Sequence, residues 1–431
     1  MTAQNFLMAT AAAVLLVACS ERDIILPGER LDIRPSTDIV NETRSVNLVS
    51  PVANASWTHR NGGADHRIIH PALPATLTQA FVADIGEGNS RRARITADPV
   101  VAGGVIYTLD ARAQVTATSN AGATLWTANV SPRVDGGNDA SGGGLAIAEG
   151  RVFVATGFGE LTVLDAATGA EIWTQDLDAP GGSAPTVFGD LVYLVSRDSV
   201  AWAIEVDTGR VRWQLNGTPS VGNFAGGSGV AVNSEIAIFP FPSGEVLAAF
   251  PKGGLRRWSS VVTGERLGSA AAKISDIAGD PVIDGNTVYA SNVSGRLVAM
   301  DIASGDRKWT ASEGAVSPVW PSGGSLFLVS DQNKLVRLDA RDGTVIWQVD
   351  LPNVIERRWG GFKAVHVNFG PVLAGGRLIV PSSDGVIRQF DPASGALIGT
   401  LPMPGGAASN PVVADNTLYV VGKDGELVAF R

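Results

Sequence analysis

The stretch Asp280-Pro-Val-Ile-Asp-Gly-Asn-Thr287-Val-Tyr-Ala-Ser-Asn-Val-Ser294-Gly-Arg-Leu-Val-Ala-Met-Asp301-Ile-Ala-Ser-Gly305-Asp-Arg-Lys-Trp309 decides the fold. Runs of β-formers (Pro281–Ile283, Thr287–Ala290, Leu297–Met300 and Arg307–Trp309) alternate with turns at Asp284-Gly285-Asn286, Ser294-Gly295 and Ser304-Gly305. Short strands punctuated this regularly form an antiparallel meander. Its closing phrase recurs as Asp165…Gly169…Trp173, Asp301…Gly305…Trp309 and Asp339…Gly343…Trp347, always with Trp eight residues after Asp. Inner strands of this character begin near Asp98, Leu145, Ala184, Gly229, Asp280, Ser317, Gly370 and Asn410, which makes eight units. A repeat of ~40–50 residues built from short strands signals a propeller.

The expected fold is therefore all-β: an eight-bladed propeller of four-stranded antiparallel blades over residues 51–431, closed by an N-terminal strand. The last unit ends at Arg431 after three strands, so its outer strand must come from elsewhere. Ala55-Ser56-Trp57-Thr58 is read as that strand; closure removes the free sheet edge. Trp57, Trp126, Trp173, Trp213, Trp258, Trp309 and Trp347 are assigned a structural role, wedged between blades with the indole N–H paired. In the seventh unit Gly399 stands where Trp is expected. Gly159, Gly295, Gly385 and Gly425 are read as hairpin turns that need positive φ.

Charged residues make up 17% of the 431 and the formal net charge is −9, which disfavours nucleic acid as a partner. Phe6 to Ala18 is apolar but too short to span a bilayer, and it ends in Leu16-Val17-Ala18-Cys19. This resembles a bacterial lipoprotein signal: residues 1–18 would be removed, Cys19 lipidated, and residues 19–50 left as an extended tether.

The Asp-x-x-[Ser/Thr]-Gly-x-x-x-Trp phrase, with Pro-Val opening inner strands, resembles the PQQ-like repeat of quinoproteins. The lipobox, short tether and eight spare blades resemble the BamB family of assembly lipoproteins more closely. Ser141-Gly-Gly-Gly144, Val329-Ser-Asp-Gln-Asn333 and Lys423-Asp-Gly-Glu-Leu427 are similar to that family. The resemblance implies a non-catalytic scaffold of the β-barrel assembly (BAM) complex, lipid-anchored at the periplasmic face of the outer membrane. It would dock on the POTRA domains of BamA beside other assembly subunits and assist unfolded outer-membrane proteins. Two alternatives stand beside it: a periplasmic PQQ-dependent dehydrogenase and a generic ligand-binding propeller.

The dehydrogenase alternative is disfavoured. Those enzymes hold PQQ under a vicinal Cys-Cys disulfide, and Cys19 is the only cysteine. His59, His66, His70 and His366 meet no Cys or carboxylate at zinc spacing, and Asp135-Gly-Gly-Asn-Asp139 lacks calcium-loop spacing. Gly226-Gly-Ser-Gly-Val230 is not a nucleophile elbow. No catalytic residue, cofactor or metal is assigned.

Function is then sought where the repeat breaks, in long inter-blade linkers at about 127–144, 214–228, 259–279 and 350–369. Strand alternation puts them all on one rim, and loops on rigid scaffolds carry binding. Two of them flank the fourth blade. They offer Asn223, Phe224, Glu265, Arg266, Lys273 and Asp276 as partner-binding residues, an apolar ring among charged tips. The family's first linker carries a Leu and an Arg where this chain has Phe224 and Ala225. Arg357, Arg358, Trp359 and Phe362 form a second candidate cluster.

Overall fold

In each repeat the strands pair in chain order, because short loops can join only neighbours. The computed structural model describes residues 39–132, 141–181, 183–220, 226–264, 266, 274–356 and 362–431. Eight four-stranded antiparallel sheets form an eight-bladed propeller. Blades 1 to 7 span 100–129, 143–176, 186–216, 231–261, 277–311, 320–350 and 372–402. Within a blade the three inner strands are buried, whereas outer strands such as Glu171–Asp176 alternate exposed and half-buried residues.

The Asp-Gly-Trp phrase is one interlocking device. Each outer-strand indole N–H donates to a carbonyl in the next blade's turn: Trp126 to Ala166, Trp173 to Val206, Trp213 to Pro251, Trp258 to Ile302, Trp309 to Ala340 and Trp347 to Pro392, at 2.9–3.2 Å. That turn's glycine lies flat on the ring. A Cβ at Gly343 would sit 2.5 Å from Trp309, and the residue has φ +74°. Left-handed backbone and ring contact both demand glycine. Gly343→Ala is expected to cost about 2–4 kcal/mol, by strain and overpacking together, read as a lowered urea midpoint at unchanged slope.

Closure comes from a different strand than the sequence suggests. Gln79–Asp84 pairs antiparallel with Glu426–Phe430 and completes blade 8 beside Val412–Ala414 and Thr417–Gly422. Phe81 faces Ala429, the register in which Trp309 faces Ala299, and its ring lies where a Cβ on Gly122 would come within 2.7 Å. Phe81 thus takes the Trp's place at the last junction. Blade 8 has no turn between its third and fourth strands, since these come from opposite ends of the chain. A Trp at 399 would therefore have no turn glycine to cover.

The segment around Trp57 is not an outer strand. Residues 52–72 run round the inside of the ring and touch the inner end of every blade. Asn54 O accepts from Asp415 N–H, Trp57 exchanges backbone bonds with Val101, and Thr58 O accepts from Ile147 N–H. His59 Nε2 accepts from Val187 N–H, and the Ala64 and Asp65 carbonyls accept from Val232 and Ile283. Trp57 stacks on Trp320 at 6.3 Å, and Pro71 O accepts from Gly375 N–H. These contacts lie beside the turns that join first and second strands, so the chain floors the channel on its tight-turn face. Residues 41–48, read from sequence as tether, are bonded to blades 6 and 7: Glu42 N–H to Ile346 O, and Arg44 to Asp339 at 2.9 Å.

Candidate functional site

The three clustered histidines belong to the floor. Each uses both ring nitrogens or a backbone partner as a strut. His59 bridges Thr58 Oγ1 and Val187 N–H, His66 Nδ1 lies 2.9 Å from Pro281 O, and His70 bridges Val49 O and Gly376 N–H. Burial, with His66 nearby, lowers His59 to about 3; burial likewise lowers His66. Beside them Arg60 reaches Asp98 at 3.2 Å and Asp280 at 3.4 Å, all three side chains nearly or fully buried. Asp98 in turn accepts from Asn410 N–H and Nδ2, at 2.8 Å each. One guanidinium in the floor thus holds the opening residues of blades 1 and 5, and blade 8 through Asp98.

On the opposite face the linkers meet the turns between second and third strands. The roots of both linkers flanking blade 4 converge on a small crevice lined by Arg197, Gly227, Ser228, Pro240, Asp276 and Ile277. The start of the first linker is tied down by Glu245. Burial would raise this carboxyl, but hydrogen bonds from Ser259 and Thr218 hold it below the usual carboxylate range. In the second linker Arg266 is bidentate to Asp331 at 3.1 Å, bonds Ser312 O and lies 3.6 Å from Glu313. Burial raises the Glu313 carboxyl, against the pull of Arg266.

Two residues expected as charged tips therefore take other roles. Asp276 is only 4% exposed, a wall of the crevice. Arg266 clamps its linker to the neighbouring blades. Cys19, Asn223, Phe224, Glu265, Lys273, Arg357, Arg358 and Trp359 lie outside the described residues, as does the side chain of Phe362. The backbone of Phe362 opens the strand Phe362–Val365, which pairs with Val354–Glu356 in a hairpin that the repeat does not forecast. Exposed Val354, Val365 and Val367 belong to this linker, beside a depression of about 500 Å³ lined by Arg94, Ile95, His366, Phe369, Ala408 and Lys423. Ile95, Phe369 and Ala408 continue into a space of about 180 Å³ above Arg60.

The rim thus sets an apolar hairpin and basic side chains around a channel mouth. The family model for outer membrane protein assembly factor BamB matches residues 111–349 and 337–431. The chain belongs to the BamB family. BamB of Shewanella oneidensis is 26% identical over 294 residues, covering 66% of this chain and 69% of that protein. BamB of Salmonella typhimurium is 26% identical over 340 residues, covering 77% and 83%. The crystal structure of BamB from Moraxella catarrhalis superposes with a TM-score of 0.69 at 18% identity, over 83% of this chain and 100% of that one. A europium-containing methanol dehydrogenase superposes with a TM-score of 0.67 at 14% identity, over 87% and 98%, which shows a shared fold.

Proposed function

We propose that this BamB-family chain is a non-catalytic scaffold subunit of the outer-membrane assembly machinery, held at the periplasmic face of the outer membrane by a lipid on Cys19. Its linker rim docks on BamA POTRA domains and so assists the insertion of unfolded outer-membrane proteins. The family match across residues 111–431 carries this reading. The rim's physics supports it: the described roots of the linkers flanking blade 4 are tied to the blades through Glu245 and Arg266, which gives a docking surface a fixed base. The floor supports a scaffold in another way, since residues 52–72 occupy the channel's tight-turn end with the chain's own side chains.

The test is co-purification with BamA from membranes. Phe224→Glu is expected to reduce BamA recovery tenfold or more with an unchanged melting temperature, and Cys19→Ala to move the protein into the soluble fraction. Unchanged BamA recovery from Phe224→Glu would remove the docking rim, and persistent membrane association of Cys19→Ala would remove the lipid anchor.

A further inference from the structure

On the face opposite the linkers, blades 2 to 7 share one turn between their third and fourth strands, whereas blade 1 has a shorter turn opened by Ser119. The residue that opens the turn eight before the outer-strand Trp or its equivalent is acidic in five blades: Asp165, Glu205, Asp301, Asp339 and Asp391. Four of these cap backbone N–H groups of their own turn, as Asp165 caps Ala167 and Thr168. In blade 4 the position is Phe250, in a turn closed by the same backbone bonds. The Phe250 side chain has no acceptor to offer the turn, and the residue is 46% exposed beside Leu255 at 69%. The substitution therefore gives up a capping carboxylate and places apolar surface in water.

Around Phe250 lies a groove of about 430 Å³ lined by Ser234, Glu235, Pro251, Lys252 and Arg257. Arg257 stands over the Phe250 ring, 5.0 Å from its centroid, and donates to Glu235 O, so its guanidinium is already positioned. Lys252 is exposed alongside. Its ammonium and the Arg257 guanidinium, against the one Glu235 carboxylate, give the lining a net positive charge on a chain of net charge −9. An exposed aromatic and aliphatic pair rimmed by positioned cations is a recognition surface.

We infer that this groove is a second docking site, for an acidic peptide segment of a partner that inserts an apolar side chain between Phe250 and Leu255 and sets carboxylates on Lys252 and Arg257. It lies on the floor face and works independently of the rim.

Fluorescence anisotropy of labelled Asp-Leu-Glu-Phe-Glu and Lys-Leu-Lys-Phe-Lys peptides on the purified full chain tests it. The acidic peptide is expected to bind at least tenfold tighter. Phe250→Asp, which installs the sibling blades' residue, and Lys252→Glu should each weaken it tenfold or more, while Phe224→Glu leaves it unchanged. Phe250→Asp should melt no lower than the parent. Equal binding of the two peptides, or binding that survives Phe250→Asp, would overturn the site. A lowered melting temperature would make Phe250 a structural residue instead. Dimerisation that Phe250→Asp abolishes would assign the groove to a second copy of the chain.

Discussion

Arg60→Met is expected to destabilise the propeller by about 3–5 kcal/mol, because it leaves two buried carboxylates without their cation. Arg60 is the only residue bonded to both Asp98 and Asp280 among the described residues, and Asp280 Oδ2 has no hydrogen-bond partner of its own. The damage should be local to the floor before it is global. Limited proteolysis is expected to cut within residues 52–72 at a temperature where blades 2 and 3 stay intact. The triple variant Arg60→Met, Asp98→Asn, Asp280→Asn should recover much of the loss, since it removes the charges with their counter-ion. If Arg60→Met unfolds at the parental urea midpoint, the ion cluster contributes nothing to holding the ring.

This role was closed to sequence reading for a physical reason. Arg60 and Asp280 are 220 residues apart, and nothing local to either marks a pairing that ring closure creates. The blades were legible because their signals are local. Turn glycines and the Asp-Gly-Trp spacing act within about ten residues, and the structure honours both of them. The closing strand was half legible. The eighth unit shows three strands of its own and so needs an outer one, but Trp57 drew the assignment away from Phe81. The Trp marks a buried ring and not a blade position: at Trp57 it packs on Trp320 inside the channel. The better signal was Gln79-Ala-Phe-Val-Ala-Asp84, whose aromatic stands in the register of the outer-strand tryptophans. The rim was legible as a place and only partly as residues. Linker length shows where the repeat is interrupted, but whether a charge points out or folds back, as Arg266 and Asp276 do, depends on neighbours contributed by other blades.

Mild acid is expected to loosen the floor well above the range in which carboxylates titrate. His59 binds a proton near pH 6.5 in the unfolded chain but only near pH 3 when buried. Between those values the unfolded state carries the extra proton, so stability falls as pH falls. The loss from His59 alone is roughly 2 kcal/mol at pH 5 and roughly 4 kcal/mol at pH 3. His66 is lowered as well and acts in the same direction. Protonating either ring would also add a cation beside Arg60, against which Asp65, Asp98 and Asp280 are the carboxylates at hand. Asp339 and Asp384, whose carboxyls are held low in the fold, add their own acid sensitivity only below about pH 5, and Glu313, whose carboxyl burial raises, takes up a proton more readily in the fold and so acts in the opposite sense, which leaves the loss of stability between pH 6.5 and 5 to the histidines. Urea midpoints measured across that window should fall steadily in the parent. In His59→Gln, whose amide oxygen can still accept from Val187 N–H, the slope should be markedly shallower. An identical slope in the two proteins would mean that His59 does not couple the floor to pH.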